Sequence, residues 1–144
     1  MILLDTNVLS EALRTEPDPV AVRWLDRHFA NCAISSIVVF ELGAGIALLP
    51  MGRRREALQA AVVRTVRRFG PRSFSFDTAA AEAAARLLGD ARARGLGLHQ
   101  LPAKLADLQT AGIASAYGLQ LATRYQADFQ GIGLELIDPW VAEA

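Results

Sequence analysis

Short apolar runs of strand length alternate along this chain with helix-length segments, and that alternation is what most narrows the folds open to it. Ile2 to Leu4 precedes a helical pattern over Val8 to Leu13, and after Pro17 and Pro19 another runs from Val20 to Phe29. Cys32 to Ile34 reads as the next strand, after which Ser35 and Ser36 offer N-caps for an apolar helix that Pro50 and Gly52 close. The arginine-rich segment from Arg53 to Phe69 sets Leu58, Val62, Val66 and Phe69 at helical spacing and stops at Gly70-Pro71. Ser73 to Phe76 is a strand by the same reading, Asp77 caps an alanine-rich helix to about Arg94, and Gly95-Leu96-Gly97 is a loop. From Pro102, suited to a first helical turn, the pattern is helical to about Tyr117, and strands follow at Leu119 to Ala122 and Leu134 to Ile137. Strands alternating with helices predict a parallel sheet covered on both faces.

At 144 residues the expectation is a single domain, 1–144, large enough to bury a core without staples. Hydrophobic residues make up 52% of the chain against 21% charged, which excludes a disordered polyampholyte and leaves apolar surface over for a partner. The 15 basic and 15 acidic residues cancel, so any attraction to nucleic acid must be local. Cys32, the only cysteine, excludes an intramolecular disulfide, a Cys-rich zinc site and a CxxC motif, and suits a reducing compartment. The N-terminal apolar run is too short for an export signal, and the stretch Ile37 to Leu49 is broken by Glu41 and too short for a membrane span. The expected location is the cytoplasm, with no membrane partner.

Asp5 ends the first apolar run, and in an open α/β sheet the carboxyl ends of the strands form the crevice where ligands bind. Three further acids stand where a solvated face is not the obvious reason for them. Glu41 is the only charge in the most apolar helix, Asp107 lies in Leu105-Ala106-Asp107-Leu108, and Asp128 precedes Phe129 in what reads as the loop after the fourth strand. Two carboxylates about 4 Å apart at an effective dielectric of about 20 repel by roughly 4 kcal/mol, so acids gathered in one crevice call for a cation. Donors that are all carboxylate oxygen suit Mg2+ or Mn2+ rather than zinc, and such an ion serves water attack on a phosphodiester. Asp77 serves as a control: it too follows a short strand and precedes a helix, but nothing near it in sequence asks for more than a cap.

The opening Met1-Ile2-Leu3-Leu4-Asp5-Thr6-Asn7-Val8-Leu9-Ser10 resembles the start of PIN-domain ribonucleases, in particular the VapC toxins of bacterial toxin–antitoxin pairs. Glu41-Leu42, Ala106-Asp107, Tyr117-Gly118, Leu121-Ala122-Thr123-Arg124, Asp128-Phe129 and Ile137-Asp138-Pro139-Trp140 then follow in that family's order, so the resemblance covers nearly the whole chain. It implies a three-layer α/β/α sandwich on a five-stranded, mostly parallel sheet, and a metal-dependent endoribonuclease acting on RNA. It also implies Asp5, Glu41, Asp107 and Asp128 as the acidic quartet, with Asp5 and Asp107 as direct ligands of Mg2+ or Mn2+ and the other two acting partly through water. Thr6, Asn7 and Thr123 would orient the carboxylates and bound water. The family's partners are a VapB-like antitoxin, whose C-terminal segment lies beside the acids, and a second copy of the toxin, with a higher assembly formed on the antitoxin.

The chain departs from the family at two places. Where Asn commonly follows Thr-Arg it has Tyr125, a ring able to stack on a base, and Lys104, its only lysine, stands one turn before Asp107. Arg124, Tyr125, Arg53 and Arg54 are candidate contacts to RNA or antitoxin, set against a solvated face for the arginines. His28, His99, Ser10 and Ser35 lack the surroundings of a hydrolase triad. Gly43 and Gly45 fall inside the apolar helix and are read as permitting close helix packing or a dimer contact, and Trp24 and Trp140 as core or interface. Two other functions compete: a haloacid-dehalogenase-like phosphatase, which wants a second Asp where this chain has Asn7, and a PIN-fold binding module that acts through antitoxin and operator complexes.

Overall fold

The computed structural model describes residues 1–101, 103–141 and 143. Strand β1 (Ile2–Leu4) leads into α1 (Thr6–Ala12) and α2 (Pro19–His28), a 3-10 turn over Phe29–Asn31 and β2 (Cys32–Ser35). Helices α3 (Ser36–Ala47) and α4 (Arg53–Phe69) then precede β3 (Ser73–Phe74), and α5 (Thr78–Ala93) and α6 (Leu105–Tyr117) precede β4 (Gln120–Ala122). A short α7 (Gln126–Phe129) and β5 (Leu136–Ile137) complete the order.

All strand pairs are parallel, and the five-stranded sheet runs β3-β2-β1-β4-β5. The first strand is therefore central, with successive units built outward on one side of it before the chain returns to build on the other. That reversal opens the crevice at the carboxyl ends of β1 and β4. Alternation of side chains along β1 supplies both faces: Ile2 and Leu4 join a core with Val8, Trp24, Val38 and Phe69, while Leu3 joins one with Ala84, Leu108, Ile113 and Phe129. A strand buried on both faces must be apolar throughout, which is why Ile-Leu-Leu carries no polar residue until Asp5. The result is the expected three-layer α/β sandwich.

Differences from the sequence reading fall mainly at edges. Strand β3 stops at Phe74, because the chain turns where the Phe76 N–H donates to Ser36 Oγ (3.1 Å) and the Asp77 N–H to Ser75 O (2.9 Å). Strand β5 pairs only through Leu136 and Ile137. Helix α6 starts at Leu105, and the expected first-turn residue, Pro102, lies outside the described residues. The glycine loop includes a 3-10 turn at Gly97–His99. Asp128 is not in a loop but within α7.

The apolar helix α3 is not buried all round. Val38, Leu42 and Ile46 face the core, while Phe40 is 72% exposed and Gly43, Ala47 and Leu48 also face outward. A Cβ added to Gly43 or Gly45 would meet nothing within 4 Å, so packing within the chain is not their purpose. That role belongs to Gly112 in α6, whose added Cβ would lie 2.6 Å from Ala80 O and 2.7 Å from Ala84 Cβ. Among the described residues no helix is long and apolar enough to cross a membrane.

Candidate active site

Asp5 sits where β1 gives way to α1, with its N–H still on the ladder, donating to Ala122 O at 2.9 Å. Only 7% exposed, its carboxylate is covered by donors. Oδ1 accepts the Thr6 N–H (2.8 Å), and Oδ2 accepts both Asn7 Nδ2 (2.7 Å) and Thr123 Oγ1 (2.8 Å). Asn7 is fixed in turn, since its Nδ2 also reaches Thr123 Oγ1 (3.2 Å) and its Oδ1 accepts the Arg124 N–H (3.0 Å). Thr123 Oγ1 accepts the Tyr125 N–H at 3.1 Å, so its one proton is left to point at Asp5. The turn after β4 is thereby buttoned to the end of β1, and a buried charge that would be costly alone is held in one orientation.

Thr6 reaches the other way. From the start of α1 its Oγ1 donates to Glu41 Oε1 (2.7 Å), tying the middle of α3 to the same corner. Asp107 stands in the first turn of α6, where the helix field favours a carboxylate. Its carboxyl is nonetheless pushed up to about 6, first by burial and then by the charge of Asp5, with Asp128 and Glu41 adding to the effect and Lys104 opposing it. Four acids from four segments thus share one electrostatic neighbourhood.

Lys104 completes it. Its Nζ donates to Asp128 Oδ1 at 3.0 Å and lies 3.8 Å from Asp107 Oδ2. The hydrogen bond to Asp128 holds the ammonium pKa above its ordinary value, against the effect of desolvation. The crevice has two unlike sides: Asp5 and Glu41 are held by neutral hydroxyl, amide and backbone donors, and Asp107 and Asp128 by a cation.

The donor set is oxygen from carboxylates, and the unbalanced charge around Asp107 is of the kind a hard divalent ion neutralises. Among the described residues no three Asp, Glu, His or Cys side chains are already closed into a cage. Their oxygens are committed instead to Thr6, Asn7, Thr123 and Lys104.

The remaining candidates are scattered around this corner. Tyr125 is 58% exposed at its rim. The Arg124 guanidinium lies 5.2 Å from the centre of the Trp140 ring, against which it packs. Arg53 and Arg54 are exposed at the start of α4, and Arg54 lines a groove of about 940 Å3 between α1, α3 and α4. Leu13, Leu42, Ile46 and Val62 give that groove an apolar lining, and Glu41 is the member of the acidic quartet that borders it. His28 and His99 turn Nδ1 to the backbone oxygens of Trp24 and Leu96, and burial pushes the Cys32 thiol up to about 11, so none offers a nucleophile or base to the crevice.

Two polar contacts escape a reading by sequence. Glu11 is 6% exposed, accepts the Asp18 N–H (2.7 Å) and pairs with Arg14 (3.3 Å), closing the loop between α1 and α2. Its place among Val8 and Leu9 on the inner face of α1 was the available signal. The pairing of Lys104 with Asp128 had none, because it bridges two elements 24 positions apart.

Comparison with known proteins gives a consistent picture. A family model described as the PIN domain matches residues 2–133. The plasmid stability protein StbB of Pseudomonas syringae pv. tomato is 41% identical over 144 residues, covering 99% of this chain and 100% of that protein. The VapC ribonuclease Y4jK of Sinorhizobium fredii is 35% identical over 142 residues, with 97% and 98% covered. Among solved structures, a chain of FitAB bound to an IR36 DNA fragment superposes with a TM-score of 0.89 at 32% identity, covering 100% of this chain and 99% of that one.

Proposed function

The chain belongs to the PIN-domain family, and from that premise we propose that it is a Mg2+- or Mn2+-dependent endoribonuclease, the toxin of a cytoplasmic toxin–antitoxin pair. The observation that carries the reading is the gathering of carboxylates at one corner, Asp5 locked by Asn7 and Thr123, Glu41 by Thr6, and Asp128 and Asp107 facing Lys104, a crowding that also raises the Asp107 carboxyl. Asp5 and Asp107 would hold the ion directly, with Glu41 and Asp128 acting partly through water. A bound ion supplies an activated water and a Lewis acid at the phosphodiester.

The chain's own residues supply position. Asn7 and Thr123 lock Asp5 Oδ2, leaving that carboxylate one orientation, and Thr6 does the same for Glu41 Oε1. Asn7 carries no acid to protonate a leaving group, which disfavours the phosphatase alternative. Tyr125, exposed at the rim, offers a ring to a base of the RNA, and Arg124 a cation.

The groove that begins at Glu41 suits the C-terminal segment of a VapB-like antitoxin: its lining buries apolar side chains, and Arg54 and Arg14 at its walls meet acidic ones. The outward face of α3, with Val39 and Phe40 exposed, supports pairing with a second copy, and the antitoxin complex of such dimers forms the higher assembly. The VapC naming of one relative and the FitAB complex of another support this role.

Thermal melts with and without Mn2+ test the reading. The ion should raise the Tm of the wild type and leave Asp107→Asn unmoved, and only the wild type should cleave RNA. A second reading, a PIN-fold regulatory module without catalysis, draws on Lys104 already occupying Asp128 and Asp107. It predicts no Mn2+ shift in either protein.

A further inference from the structure

Lys104 is the only lysine among 15 basic residues, and it stands against two of the four acids of the crevice. Helix physics does not explain it there. It occupies the cap position before α6, where the backbone dipoles disfavour a cation, and its side chain makes no capping bond. What holds it is the pair of carboxylates, with Nζ 3.0 Å from Asp128 and 3.8 Å from Asp107. Its side chain is 28% exposed, against 30% for Asp107 and 34% for Asp128, so the three charges are largely turned toward one another.

The acids therefore divide. Asp5 and Glu41 are oriented by neutral donors and keep their negative charge uncompensated, Asp128 is compensated by the ammonium, and Asp107 lies between the two pairs. An ammonium is a compact point charge, unlike the planar guanidinium used elsewhere in this chain, and of the basic side chains it most closely imitates a small metal ion.

We propose that the Lys104 ammonium is the second cation of this site: it fills the position between Asp107 and Asp128 that a second divalent ion would otherwise take, so the protein works with one ion, bound on the Asp5 side. The inference rests on reading the acids as metal ligands. It replaces the water-mediated role given to Asp128 above with direct pairing to the lysine, and makes the electrostatic partner of that half of the crevice part of the polypeptide.

Calorimetric titration of the chelator-stripped full chain with MnCl2 counts the ions without reference to cleavage. The wild type should take up one ion per chain. Lys104→Met, which keeps the stem and removes the charge, should take up two, and Lys104→Arg should return to one. Two ions in the wild type overturn the inference whether or not the variants fold, and leave the metal-dependent reading standing. A single ion in a folded Lys104→Met, at any affinity, overturns it in the same way. Uptake of no ion by wild type and Lys104→Met alike overturns both the inference and the reading beneath it.

Discussion

Asp5 and Asp77 stand in the same local phrase, a short strand segment followed by Asp-Thr and a helix, and they are put to different uses. Asp77 is a helix cap at the surface: its Oδ1 accepts the Ala80 N–H at 2.9 Å, and its Oδ2 accepts the Tyr117 hydroxyl. That second partner corrects the expectation that nothing near Asp77 asks for more than a cap, although the added role is to tie the end of α6 to the start of α5. Asp5 spends its carboxylate on Thr6, Asn7 and Thr123 and faces the crevice. The difference lies in the sheet, since Asp77 follows the edge strand β3 and Asp5 the central strand β1, where the topology reverses. Local sequence makes a cap at either place, and only the central one has other acids across from it.

The comparison breaks most sharply at Asp5 itself. If Asp5 is a metal ligand as well as the cap of α1, Asp5→Asn should lower RNA cleavage at least about a hundredfold and abolish the Mn2+-induced rise in Tm. Wild-type cleavage by this variant would place Asp5 beside Asp77 as a structural residue. One step down, Thr123→Val and Asn7→Ala keep every acid but free Asp5 Oδ2 to rotate. Each should weaken Mn2+ affinity by about 10- to 100-fold, measured by calorimetry, with the apo fold retained by circular dichroism. Unchanged affinity would mean that these hydrogen bonds hold the fold and not the site.

How much of this was legible in the sequence follows from how local each feature is. The βα rhythm and the central Ile2–Leu4 strand are local patterns and read correctly, because a strand buried on both faces has no choice but to be apolar. The short α7 around Asp128 could not be read, since four residues carry no helical period. Nor could the ends of β3 and β5, which are set by the residues an edge strand finds to pair with. The convergence of Asp5 with Thr123 spans 118 positions and came from the family's order of motifs rather than from periodicity. The case of Glu41 is mixed. Its helix reads as the most apolar of the chain, yet Phe40 and Leu48 face outward, so an acid on α3 has a solvent face open to it and instead meets Thr6 at the corner.

The two aspartate neighbourhoods should also respond to pH with opposite signs. In the metal-free protein the Asp107 carboxyl, at about 6, lies above its ordinary value of 3.8, so the folded state holds its proton more tightly than the unfolded chain. The stability this contributes is full below about pH 4 and is lost as pH rises through about 6. With its partial exposure discounted, the loss is on the order of 1–2 kcal/mol. Asp107→Asn should therefore melt higher than the wild type at pH 7 without metal, and the gap should close toward pH 4. A gap independent of pH would show that Asp107 is not under the strain of its neighbours.

Asp77 runs the other way. The Tyr117 hydroxyl and the Ala80 N–H hold its carboxyl below the ordinary range, so its contribution is present at neutral pH and disappears as pH falls through that lowered value. Asp77→Ala removes the cap of α5 and the tie to α6 but leaves the crevice untouched, and should lower the Tm at pH 7 by about 2–4 °C with RNA cleavage and Mn2+ affinity unchanged. Tyr117→Phe keeps the cap and cuts only the tie, so its loss should be the smaller of the two. Cleavage lost in a folded Asp77→Ala would mean that the edge strand also feeds the site, and the contrast between central and edge aspartates would no longer separate ligand from cap.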